Sequence, residues 1–225
     1  MHGGDDLIYQ ISVWLIPAVL AITLHEAAHG YVAYHFGDDT AMRAGRISIN
    51  PLRHIDPIGT ILLPGLLLLS GSRLMFGYAK PVPVNFWRLR NPKRDMIWVA
   101  AAGPGTNLAM ALAAALLVHI VALLPEGMNE WVFDNLRNAV ELNILLAVFN
   151  MIPLPPLDGG RVAVGLLPQP LSVMLARLEP YGMMILIFVL LVLPTIAGRN
   201  FNVLAYIIGP PARFLYQVIL TLAGH

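Results

Sequence analysis

Two histidines and a glutamate stand within five residues of an otherwise apolar stretch, as His25-Glu26-Ala27-Ala28-His29. Histidines four apart project from one face of a helix, so their imidazole nitrogens can ligate a single Zn²⁺. The glutamate one residue along is rotated off that face, where it can reach an attacking water and act as general base. With this chain's His and Glu content, the pattern arises by chance in about half a percent of such chains. A hydrogen-bonded histidine pair with a snorkelling glutamate is the bland alternative. Ionisable groups within an apolar segment are costly there and default to a functional reading.

A catalytic zinc takes three protein ligands and leaves one position open. Within the apolar regions the remaining carboxylate candidate is Asp158, in Leu157-Asp158-Gly159-Gly160. His25 lies 18 residues beyond Leu7, and Asp158 lies 17 beyond Glu141, the last charge before its run. If both segments run in the same direction, the two reach similar depth. Without the histidines, Asp158 would read as the carboxylate of an Asp-Gly turn.

The elements that must position these residues are set by composition. Of 225 residues, 57% are hydrophobic and 12% charged, about half the roughly 25% usual in a soluble domain. A mean hydropathy of +0.69 excludes a disordered chain and points to a membrane protein. The net charge of +1 argues against a nucleic-acid surface. The absence of cysteine excludes disulfides, thiolate ligands and a cysteine nucleophile, so a metal must be held by nitrogen and oxygen.

Apolar runs occur at Leu7–Leu24, Met96–Leu124, Leu142–Leu157, Pro180–Gly198 and Phe201–Gly224, the last broken by Pro210, Pro211 and Arg213. Their lengths bracket the roughly 20 residues that span a bilayer as helix. The helical pattern of the first continues to Phe36, and Asp5 and Asp6 stand where a signal peptide would be basic. Ile58–Leu69 is 12 residues long and interrupted by Pro64-Gly65, which fits a re-entrant segment better than a span. Residues 37–95 then lie on one side with nine of the 14 basic residues, while Asp5, Asp6, Glu126, Glu130 and Asp134 lie on the other. By the positive-inside rule the N-terminus is outside the cytoplasm and the His25 region lies towards the cytoplasmic side. The prediction is an all-α membrane protein. It is a polytopic helical bundle with a short re-entrant or extended region between the first and second long helices, in one membrane-embedded unit with a core at about 7–165 and further helices at about 180–224.

His25-Glu26-Ala27-Ala28-His29, together with Asn150-Met-Ile-Pro-Leu-Pro-Pro-Leu-Asp158-Gly-Gly, resembles the paired signatures of the site-2 protease family of zinc intramembrane metalloproteases. Asn50-Pro-Leu-Arg-His54-Ile-Asp-Pro-Ile-Gly-Thr60, Gly77-Tyr-Ala-Lys-Pro-Val-Pro-Val-Asn85 and Ala102-Gly-Pro-Gly-Thr-Asn107 are similar to that family as well, from about residue 20 to 165. The resemblance implies one Zn²⁺ per chain held by His25, His29 and Asp158, with Glu26 as base and Asn150 facing the site to hold substrate or the developing oxyanion. It implies a transmembrane protein substrate in a lipid bilayer; a prokaryotic cell membrane is expected, and the charge balance predicts no nucleic acid partner. The sequence leaves no room for the PDZ or CBS domains of many relatives, so a separate regulatory or substrate-presenting protein is expected.

Other polar residues carry open readings. Asn143 and Asn150, seven apart, share a helix face and either line the cleft or hydrogen-bond a neighbouring helix. His54 lines the site or packs a loop. Asn107 reads as a helix-packing residue and His119 as a satisfied buried histidine. Lys80–Asn85 is either a rigid linker or an extended edge to which an unwound substrate adds as a strand. A transporter using the same His/Asp cluster as a relay is the alternative function, although no second half repeats the ligands.

Overall fold

A computed structural model describes residues 3–54, 56, 62, 80–193, 196 and 203–225. The helices are α1 (Gly3–His35), α2 (Thr40–Arg43), α3 (Pro92–Leu117), α4 (Asn129–Asn150), α5 (Asp158–Leu166), α6 (Leu171–Ala176), α7 (Glu179–Ile187), α8 (Val203–Ile207) and α9 (Gly209–Ala223). Among the described residues there is no strand. Two helical stretches are long and apolar enough to cross a membrane, Ile8–His35 and Pro92–Leu123. The expected re-entrant segment Ile58–Leu69 lies outside the described residues except for Leu62.

The ends of the two long helices follow from local chemistry. α1 stops at His35 because Gly37 adopts φ +108 and closes the helix, with Gly37 N–H donating to Tyr34 O and Asp38 N–H to Ala33 O. α3 starts on Pro92, whose missing amide hydrogen costs nothing in a first turn. The buried Asp95 accepts from Asn91 N–H (2.7 Å) to satisfy that end. Alanine and glycine along α3 let α1 and α4 approach closely. The main apolar core joins Ala111, Ala114 and Ala115 of α3 to Val140, Ile144 and Val148 of α4 and to Ile219 and Ala223 of α9.

α4 departs from the apolar run Leu142–Leu157. It begins 13 residues earlier, at Asn129, and ends at Asn150, before the prolines at 153, 155 and 156 remove helical donors. Its polar first half is ordered by hydrogen bonds to α1. Tyr9 Oη donates to Asp134 Oδ2 (2.7 Å), Trp131 Nε1 to Ser12 Oγ (2.9 Å) and Asn138 Nδ2 to Val13 O (3.1 Å). The C-terminal run is two helices, α8 and α9, with Pro210 and Pro211 in the first turn of the second.

The polarity of the bundle is inverted. α1 turns Ile8, Ile11, Leu15 and Leu20 outwards, while Thr23, His25, His29, Asn107, Asn138 and Asn143 are buried between helices. His119 is not buried as expected. It lies exposed in the 3-10 turn after α3, donates from Nε2 to Ala223 O (2.6 Å), and stacks on His225.

Candidate metal centre

α1 presents His25 and His29 one turn apart towards α3, and α5 brings Asp158 against them. The three facing atoms form a nearly equilateral triangle. His25 Nε2 and His29 Nε2 are 3.1 Å apart, and Asp158 Oδ2 lies 3.2 Å from the first and 3.3 Å from the second. For metal–ligand bonds of about 2.0–2.1 Å, tetrahedral geometry separates ligand atoms by about 3.3 Å.

The partners of the far nitrogens assign a proton to that side of each ring. His25 Nδ1–H donates to Asn107 Oδ1 (2.5 Å) and His29 Nδ1–H donates to Val99 O (2.7 Å). Each neutral imidazole therefore turns the lone pair of Nε2 inwards. Asp158 Oδ2 is buried and has no hydrogen-bond partner. In these tautomers three acceptors face one another, an arrangement that a bound cation would satisfy.

Asn107 is more than a packing residue. Its Nδ2 donates to Asn143 Oδ1 (2.7 Å), and Asn143 Nδ2 donates in turn to Ala139 O (2.8 Å). A backbone carbonyl of α4 thus orients Asn143, Asn143 orients Asn107, and Asn107 fixes the tautomer of His25. The available signal was position: Asn107 is a polar residue, fully buried, one turn after Gly103 in an Ala-rich helix. Asn107→Ala should weaken zinc binding by about 10–100-fold. A competition titration against a chromogenic chelator measures this, and wild-type affinity would refute the relay.

Asp158 owes its place to the two glycines after it. A Cβ on Gly159 would collide with the backbone of Met151, and one on Gly160 with that of Leu154 and Pro155. The first turn of α5 therefore nests inside the Met151–Leu157 loop. α7 braces the same loop through Gly182, which lies against Pro155 O. Arg161 ties α5 to α7 through Glu179 (3.3 Å), and its guanidinium lies 5.3 Å above the Phe86 ring.

Glu26 is half-buried beside the triangle, and its Oε2 accepts from Val82 N–H (2.7 Å). Among the described residues, no hydrogen bond joins His54 or Asn150 to His25, Glu26, His29 or Asp158. His54 Nε2 donates to Ser48 O (2.9 Å), and Asn150 Nδ2 donates back along its own helix to Leu146 O (3.1 Å). Asn143 meets the centre only through Asn107. Among the described residues, His25, His29 and Asp158 are the group of ligand-type side chains close enough to hold one metal ion.

Comparisons with known proteins agree in kind. The chain is 36% identical over 199 residues to "Putative zinc metalloprotease YwhC" of Bacillus subtilis, covering 84% of this chain and 85% of that protein. It is 28% identical over 197 residues to "Putative zinc metalloprotease Rip2" of Mycobacterium tuberculosis, covering 88% and 71%. It is also 28% identical over 158 residues to "Putative zinc metalloprotease MJ0611" of Methanocaldococcus jannaschii, covering 69% and 70%. No family model and no solved structure matches the chain. On the strength of these relatives, the chain belongs to the site-2 protease family of zinc metalloproteases.

Proposed function

We propose that this protein is a zinc-dependent endopeptidase that cuts peptide bonds in or near transmembrane segments of membrane-anchored proteins. The observation that carries the reading is the convergence of two imidazole lone pairs and an unpartnered carboxylate oxygen beside Glu26. His25, His29 and Asp158 would hold one zinc per chain. Bound there, zinc supplies Lewis-acid polarisation of a peptide carbonyl and acidifies water. Glu26 takes the proton of the attacking water on the carboxylate oxygen that Val82 does not occupy, and returns it to the leaving amine. Asn107 and Asn143 hold His25 in the ligating tautomer. Asn150, at the last turn of α4, and His54 are assigned to the approach of substrate.

The membrane setting is supported by the outward-facing apolar surface of α1 and by the two apolar helical stretches. The whole chain acts as one membrane-embedded unit in a prokaryotic cell membrane. Its N-terminus is outside, its active site is towards the cytoplasmic side, and a separate protein presents or trims the substrate. The test is cleavage of a single-helix substrate by the purified protein in liposomes. We expect cleavage that stops on chelation and returns with added zinc, without metal or proton flux. Flux without cleavage would establish the transporter instead.

A further inference from the structure

Lys80–Asn85 contains two prolines, so only Lys80, Val82, Val84 and Asn85 carry an amide hydrogen. Three of these are engaged within the chain. Lys80 N–H donates to His54 O (2.9 Å), Val82 N–H to Glu26 Oε2 (2.7 Å) and Asn85 N–H to Asp38 Oδ2 (2.6 Å). Arg46 Nη2 donates to Lys80 O (2.5 Å). Asp38 and Arg46 are both buried, and Asp38 is itself fixed by Thr40 N–H (3.0 Å). The Val82 side chain packs over Gly30 of α1, where a Cβ would lie 3.0 Å from Val82 Cγ1.

From these contacts we infer that the Val82 amide is the group that aims Glu26, and that Lys80–Asn85 is a rigid mount for it held at its ends by Arg46 and Asp38. This deepens the proteolytic reading and rests on it. A glutamate carboxylate on three rotatable bonds does not hold one direction unaided. A charge-assisted bond from a backbone amide fixes one oxygen and leaves the other to accept a proton. Proline on either side sets the direction of that amide, because Pro81 and Pro83 have fixed φ and Val82 is confined to extended backbone by the proline that follows. Three of its four amide hydrogens are engaged within the chain, and the Val82 amide among them serves the base. Val82, Asp38 and Arg46 are positioning residues, acting through Glu26.

Val82→Pro removes the amide hydrogen within a segment whose prolines already favour extended backbone. In the liposome cleavage assay, kcat should fall about tenfold while KM and zinc content stay at the wild-type values. Unchanged kcat in a folded, zinc-loaded variant would overturn the assignment. So would a rise in KM at constant kcat, which would make the segment a substrate strand. If Val82→Pro does not fold, Asp38 gives the same reading. Asp38→Ala should lose kcat and Asp38→Asn, which keeps an acceptor for Asn85 N–H, should recover it; equal kcat in the two overturns the mount. A wild-type protein that cleaves nothing would fail the proteolytic reading itself, whereas cleavage indifferent to these changes fails only the role given to Val82.

Discussion

Glu26→Gln is expected to stop peptide hydrolysis while leaving the metal in place. The substitution keeps the length and shape of the side chain and an oxygen that can still accept from Val82 N–H, which now lies 2.7 Å from Glu26 Oε2. The ligand triangle does not include Glu26, so zinc content should match the wild type. What the amide lacks is a basic oxygen that can take the proton of the attacking water. Positioned general acid–base groups contribute about 10²–10⁴-fold to rate, so a fall in kcat of at least about a hundredfold is expected. Metal analysis and cleavage kinetics on the same preparation decide it. Cleavage at near wild-type rate by the zinc-loaded variant would remove Glu26 from the mechanism.

The cluster of His25, His29 and Asp158 is legible in the sequence where it is local. His25, Glu26 and His29 sit within two turns of one helix, and helical periodicity alone aims the histidines together. Asp158 was within reach because ionisable residues are rare in the apolar runs. What was not legible depends on partners far along the chain. Asn107 reads as packing until His25, 82 residues earlier, is seen to donate to it. The Val82 amide is invisible to any reading of side chains, since its role is carried by the backbone. α4 was misplaced for a related reason. Hydropathy locates segments that bury apolar surface, but the first half of α4 is held by Asp134, Trp131 and Asn138 bonding into α1. A helix that turns its polar residues inwards shows no long apolar run.

The same logic makes Gly103 the position where one methyl group should undo the centre. Gly103 faces α1 one turn before Asn107, and a Cβ there would fall on the inner edges of both imidazoles, at His25 Nε2 and Cε1 and at His29 Nε2. Those are the atoms proposed to converge on the metal. To restore ordinary contacts of about 3.5 Å the rings must retreat by roughly an ångström, whereas a zinc site tolerates only about 0.2 Å in its ligand distances. Gly103→Ala is therefore expected to raise the zinc dissociation constant by at least about a thousandfold, the consequence of losing ligand bonds in a site whose binding energy depends on them. The helix itself works in the opposite direction. Alanine in a helix interior is favoured over glycine by about 1 kcal/mol. The crowding of the rings costs about 1–3 kcal/mol with or without metal and largely offsets that preference, so thermal unfolding of the metal-free proteins should differ by no more than a few degrees in Gly103→Ala, while zinc titration shows the loss. Wild-type zinc affinity in the alanine variant would mean that the rings are not where the metal is bound.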